Sequence, residues 1–174
     1  PATVLYEHLS NETNVIISTD KRGLKYLDKD VYQFEIIDTP KLDNIFYLPL
    51  NLFKILFLTF KSFFLLKKEK IEKVFSTGGY MSLPLILAAR ILKLNIYLVE
   101  PNHVLGRANL YFLNFSKKIF CYTKNIKNFP KIHKSKMIII NPLVKKDIYD
   151  LNEIKNDKTH FTLLIVGGSQ GASI

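Results

Sequence analysis

The chain has 174 residues, 48% of them apolar, enough to bury a core of its own, so composition excludes a disordered or fibrous protein. A formal charge of +10 and a pI near 9.6 leave two sources open: an anionic partner, whether nucleic acid, phosphorylated ligand or acidic lipid, or a general enrichment in lysine. The single cysteine, Cys121, excludes an intrachain disulfide and suits a reducing compartment, and with histidines at no metal-like spacing a zinc site is disfavoured.

Short apolar runs rich in β-branched and aromatic residues alternate with helix-like segments, the rhythm of a parallel α/β sheet. A helix is expected over Ala2 to Leu9, then strands over Asn14 to Ser18 and Val31 to Ile37. The next segment, "NLFKILFLTFKSFFLLKK", sets Phe53, Phe57, Phe60 and Phe64 three or four residues apart and Lys54, Lys61 and Lys68 at every seventh position. That spacing predicts an amphipathic helix with a basic edge over Leu50 to Leu66. Its two interior lysines argue against a transmembrane span, which needs about 20 mostly apolar residues. It is either a core helix packed on the sheet or, because Phe63, Leu65 and Leu66 widen the apolar arc, a helix that lies on an anionic membrane surface.

Strands follow at Val74 to Ser76, Asn95 to Val99, Lys118 to Tyr122 and Met137 to Ile140, with helices over Ser82 to Leu92 and Leu105 to Phe115. The polar stretch Lys145 to His160 breaks the alternation and reads as a linker with one helical turn, before a strand over Phe161 to Val166. The expected organisation is a Rossmann-like, doubly wound parallel sheet over residues 1–145, a linker over 146–158 and the start of a second domain over 159–174. Opening on proline and stopping in a glycine loop, the sequence reads as a piece of a longer protein.

In a parallel sheet with right-handed crossovers, strand-to-helix loops emerge at one edge. Four segments qualify: "TGGY" after Val74, "EPN" after Leu98, "NP" after Ile140 and "GGSQG" after Val166. Gly78 and Gly79 let a ligand approach the main chain, the following helix start offers free N–H groups to an anion, and Tyr80 and Ser82 add hydroxyls. The same logic covers Gly167, Gly168 and Gly171, with Ser169 and Gln170 as side-chain donors. Either loop alone could be a plain turn. Glu100 could be a base, a hydroxyl acceptor or a helix cap, and Asn102 and Asn109 could contact sugar hydroxyls or simply form turns. His103 reads as a surface residue.

Together, "STGGYMSLPLILAA", "VEPNHVLGRAN", "INPLVK" and "GGSQGA", in this order and at these separations, resemble the MurG family. These are the UDP-N-acetylglucosamine:N-acetylmuramyl-(pentapeptide)-pyrophosphoryl-undecaprenol N-acetylglucosaminyltransferases. The resemblance runs from Pro1 to the end and implies the N-terminal domain of a GT-B glycosyltransferase, in which the first domain holds the acceptor and the second the nucleotide sugar. It implies inverting transfer of GlcNAc from UDP-GlcNAc to the C4 hydroxyl of MurNAc on lipid I, forming lipid II in peptidoglycan synthesis. The work would be done peripherally at the cytoplasmic face of the bacterial membrane, with no metal, cofactor or nucleic acid.

The same resemblance implies roles for residues. Gly78, Gly79, Tyr80 and Ser82 would hold the lipid diphosphate, while Asn102, Lys145, Ser169 and Gln170 would contact the donor beside the glycine loop Gly167, Gly168 and Gly171. Phe53, Lys54, Phe57, Phe60, Lys61, Phe64 and Lys68 would form a membrane patch. Glu100 keeps the acid of the family's His-Glu-Gln-Asn signature and stands as a candidate catalytic group, but the flanking histidine and glutamine are replaced by Val99 and Pro101. Lys145 replaces an arginine, one position later than in the family's Asn-Pro-Val-Arg, and supplies charge without a bidentate fork. The first glycine loop, with the family's proposed base histidine, would precede Pro1, so the fragment alone is expected to be inactive. The alternative is a non-catalytic, membrane-surface subunit that binds a lipid diphosphate for a split glycosyltransferase. A nucleic-acid binder fits less well, because the lysines lie beside phenylalanines on one helix.

Overall fold

The computed structural model describes residues 1–40 and 45–149. In chain order these form α1 (Ala2–Leu9), β1 (Ile17–Thr19), β2 (Phe34–Ile36), α2 (Leu48–Lys68), β3 (Lys73–Ser76) and α3 (Leu83–Ile91). Then come β4 (Asn95–Glu100), α4 (Arg107–Phe112), β5 (Lys118–Cys121), β6 (Met137–Ile139) and α5 (Lys146–Tyr149). Every strand pair is parallel, as the alternation of strands and helices requires.

The strands sort their side chains by the period of two. Val74, Ile96, Leu98, Ile119 and Cys121 point to one face, where they meet Ile86, Ala88 and Ala89 of α3 and Phe112 and Leu113 at α4 to form the core. On the other face Phe75, Tyr97 and Phe120 line up across β3, β4 and β5, with ring centroids 5.0 Å apart for the first pair and 6.1 Å for the second. Burial pushes the Cys121 thiol up to about 11, with help from the negative charge of Glu100, its register partner on β4. Cys121 is thus an inert core residue, as its apolar neighbours suggest.

The doubly wound expectation holds for the class and changes in one respect. The described strands form two parallel sheets, β1-β2 and β3-β4-β5-β6, rather than one ladder. Polar contacts join them instead: the Thr39 hydroxyl donates to the Met81 carbonyl at 3.0 Å, and Arg22 reaches Tyr80.

Several boundaries also move, each for a local reason. The strand expected from Val31 begins at Phe34, because the Val31 and Tyr32 amides still turn back to the Asp28 carbonyl. The helix expected from Leu105 begins at Arg107, because the Leu105 amide is held by Lys127 beside an isolated parallel bridge. Both α2 and α3 stop in Schellman motifs, with Lys70 (φ 51°) and Lys93 (φ 57°) at the left-handed position where glycine is usual. Beyond α5, the strand over Phe161 to Val166 lies outside the described residues.

Candidate functional site

At the end of β3 the chain turns through Gly78 (φ +87°) and Gly79 (φ +88°, ψ 144°), a region closed to residues with a Cβ. A Cβ on Gly78 would in addition sit 3.3 Å from Asn109 Nδ2. The loop is stapled from inside: the Gly78 amide donates to Ser76 Oγ (3.2 Å), Ser76 Oγ donates to Ser82 Oγ (3.1 Å), and Ser82 Oγ donates to the Gly79 carbonyl (2.8 Å). Ser82 therefore shapes the loop. The Gly79 and Tyr80 amides are left without an acceptor among the described residues, at the head of the 3-10 turn Tyr80–Ser82 that runs into α3. Unpaired amides at a helical start attract anions.

Facing this loop is a cluster that sequence reasoning missed. Asp20, 2% exposed at the end of β1, accepts the Gly23 amide on Oδ1 (2.8 Å) and Arg22 Nε on Oδ2 (2.8 Å). Arg22 in turn donates to the Tyr80 hydroxyl, and its guanidinium carbon lies 5.3 Å from the centre of that ring. A Cβ on Gly23 would overlap Thr19 Oγ1, so a larger residue there would have to displace the buried Thr19 side chain. The signal was "TDKRG", another polar strand-to-helix loop, but it lacks paired glycines.

Burial alone would raise the Asp20 carboxyl. The Gly23 amide and the Arg22 guanidinium together outweigh it and hold the group below its ordinary value. A depressed folded-state value stabilises above the unfolded value, near pH 4, and that contribution is lost as the pH falls through the folded one. The stability gap between the protein and its Asp20→Asn variant should accordingly be constant from pH 7 to about 5 and shrink below about 4 in urea titrations. A gap independent of pH would refute the pairing.

On β4, beside β3 in the sheet, Glu100 is 2% exposed. Its Oε1 accepts the Asn102 amide (3.2 Å) and Asn102 Nδ2 (2.9 Å); its Oε2 accepts the Gly106 amide (2.8 Å) and Asn109 Nδ2 (3.0 Å). A general base must reach the proton it takes, and a buried carboxylate holding four donors presents no oxygen to a substrate. The geometry favours the capping role among the three open for Glu100: it shapes the loop that carries Asn102. Asn109 is 1% exposed and internal, whereas Asn102 is exposed, its amide nitrogen tied to Glu100. Lys145, also exposed, follows β6 at the far side of the sheet. Gly167, Gly168, Ser169, Gln170 and Gly171 lie outside the described residues. Three of the four expected loops thus share one sheet edge, with the Gly78 and Glu100 loops side by side.

Helix α2 is turned inside out. Its buried side chains are Ile55, Thr59, Ser62 and Leu66, and Thr59 is satisfied by donating to the Ile55 carbonyl at 2.8 Å. Its outward face carries Phe53 (75% exposed), Phe57 (70%), Phe60 (64%) and Phe64 (54%), with Lys54, Lys61 and Lys68 also exposed. At 21 residues α2 is long and apolar enough to cross a membrane, yet its inner face packs on α3. A cleft of about 560 Å³ lies where α2 meets the two loops, walled by Arg22, Tyr80, Lys54 and Phe57.

Residues 1–121 match the glycosyltransferase family 28 N-terminal domain, and the chain belongs to that family. Its relatives narrow the class. It is 46% identical over 175 residues to the UDP-N-acetylglucosamine--N-acetylmuramyl-(pentapeptide) pyrophosphoryl-undecaprenol N-acetylglucosamine transferase of Pelagibacter ubique, an alignment covering 100% of this chain and 49% of the relative. To the protein of the same name from Rickettsia canadensis it is 36% identical over 182 residues, with coverage of 100% and 49%. The chain spans about half the length of the curated relatives it matches. Among solved structures it resembles Acinetobacter baumannii MurG, with a TM-score of 0.63 and 24% identity over 74% of this chain and 38% of that one. It also resembles the UDP-GlcNAc 2-epimerase of Methanocaldococcus jannaschii, with a TM-score of 0.53 and 18% identity over 80% and 42%. At such identities the structures speak for the fold alone, and function has to be argued from the site.

Proposed function

We propose that this chain is the acceptor-holding part of an inverting glycosyltransferase. The full-length enzyme transfers GlcNAc from UDP-GlcNAc to the C4 hydroxyl of MurNAc on lipid I and forms lipid II for peptidoglycan synthesis. The observation that carries this reading is a cleft lined by Tyr80, directly after the glycine pair with its unpaired Gly79 and Tyr80 amides, and by Phe57 from the outward aromatic face of α2. A polyprenyl diphosphate has two matching parts: an anion for the amides and a hydrocarbon chain for the aromatic face. The names of the relatives supply the sugar chemistry.

In this reading residues 1–145 form the acceptor domain, 146–158 the linker and 159–174 the opening of the donor domain. Helix α2 lies in the surface of an anionic membrane on its cytoplasmic side, the lysines meeting head groups and the phenylalanines the acyl boundary. Asn102 and Lys145, with Ser169, Gln170 and the loop Gly167, Gly168 and Gly171, face the nucleotide sugar. Glu100 acts through the loop that positions Asn102. Nucleic acid has no part in it.

The test is transfer of labelled GlcNAc to lipid I by the full-length enzyme. The Gly79→Ala variant forces a Cβ into a conformation that costs about 1–3 kcal/mol and displaces the amides. It should lower kcat/KM for lipid I by about 100-fold while the KM for UDP-GlcNAc stays within about twofold. Absence of transfer by the unaltered enzyme, or an equal rise in both KM values, would overturn the reading.

A further inference from the structure

We infer that Arg22 and Lys54, with Lys21 at the rim, form the cationic wall of the diphosphate site and seat the phosphoryl group bonded to the polyprenyl chain, whose first isoprene units run over Phe57. The inference rests on the acceptor reading above and assigns the charge that the reading lacks. The loop from Gly78 to Ser82 contains no cation. Neutral amides alone are a poor exchange for water around a diphosphate, and an anion leaving solvent needs opposite charge within hydrogen-bond reach.

The cleft supplies that charge from two other elements. Arg22 comes from the β1 side, held by buried Asp20 through Nε and Nη2, with Nη2 also donating to Tyr80. Its Nη1 has no partner among the described residues, so two N–H donors remain on a guanidinium whose orientation is already fixed. Preorganisation of that kind removes much of the ordering cost of binding. Lys54 comes from α2, is exposed and belongs to no ion pair among the described residues. Lys21 contributes least, because it pairs at 3.5 Å with Asp38, a carboxylate that also lines the cleft. Cations and the ring of Phe57 thus line one cleft together with Tyr80, the residue that follows the glycine pair, and these two kinds of wall match a diphosphate and the hydrocarbon chain attached to it.

The test titrates the full-length protein with farnesyl diphosphate, farnesol and inorganic pyrophosphate by calorimetry at fixed salt. Farnesyl diphosphate should bind most tightly. Arg22→Gln should weaken it by about tenfold or more, and Lys54→Gln by about fivefold, since each removes one charge-assisted contact. Arg22→Lys should restore only part of the loss, because it returns the charge without the fork. Farnesol binding should not change in any variant. Arg22→Gln leaves Asp20 without its partner and could loosen the loop, so Lys54→Gln, at an exposed helical position, carries the decision. Unchanged farnesyl diphosphate binding in Lys54→Gln, with weakened binding in Gly79→Ala, overturns the cationic wall and leaves the acceptor reading standing. Pyrophosphate binding as tight as farnesyl diphosphate overturns the path over Phe57. Failure of the unaltered protein to bind farnesyl diphosphate removes both.

Discussion

Replacing Phe53, Phe57 and Phe60 together by serine is expected to lower partition of the protein onto anionic vesicles by about 100-fold and to leave its unfolding midpoint unchanged. The three side chains are 75%, 70% and 64% exposed, so the fold gains little from them. Full burial of a phenylalanine is worth about 1.5–3 kcal/mol, and a bilayer interface that buries part of each ring yields about 1 kcal/mol apiece. Three such contributions amount to about 100-fold in a partition constant. Replacing Lys54 and Lys61 by glutamine should remove about 1 kcal/mol each and should also flatten the salt dependence of binding. A drop in stability with vesicle binding intact would return α2 to the role of a core helix. Binding to DNA but not to vesicles would oppose the membrane reading altogether.

The second large effect is one of stability. Glu100→Gln is expected to destabilise the protein by about 2 kcal/mol or more in urea unfolding, although it changes one oxygen into an amide nitrogen. Each carboxylate oxygen accepts two donors, Asn102 twice on Oε1, and Gly106 with Asn109 on Oε2. Whichever way the glutamine amide is turned, its NH2 faces two donors and one pair is abandoned. A buried donor left unpaired costs about 1–3 kcal/mol, and the Asn109 amide has no route to water. If Glu100 were a catalytic base instead, the same substitution would abolish turnover and leave the midpoint where it was. An unchanged midpoint would therefore remove the loop-holding role.

Much of this was legible in the residues, and the divide has physical causes. Parallel strands, helix α1 and the phenylalanine row of α2 follow from periodicities of 2.0 and 3.6, which are local. So does the Gly78–Gly79 turn, because adjacent glycines before a helical run announce a backbone that a Cβ would forbid. What escaped depends on contacts between distant positions or on burial. Arg22 and Tyr80 are 58 positions apart, and no local pattern marks their hydrogen bond. The choice between base and cap at Glu100 turned on its solvent exposure, which three readings of one loop could not separate. The ends of α2 and α3 were misplaced by a residue or two because Lys70 and Lys93 occupy a backbone position that sequence rules reserve for glycine. Amphipathicity predicted that α2 has two faces, but which face looks outward was set by its packing on α3.

The division of the strands into two ladders has a mechanical consequence. A pair of three-residue strands is a weak structure by itself, and β1 and β2 share no described ladder bond with β3. Whatever bridges Arg22 on one side to the Gly79 amide on the other works as a clasp between two plates. The clasp is already closed by Arg22 on Tyr80 and by Thr39 on the Met81 carbonyl, so the smaller plate leans on two side-chain hydrogen bonds for its seat, and a ligand held by both plates would add to a hold that exists before it arrives.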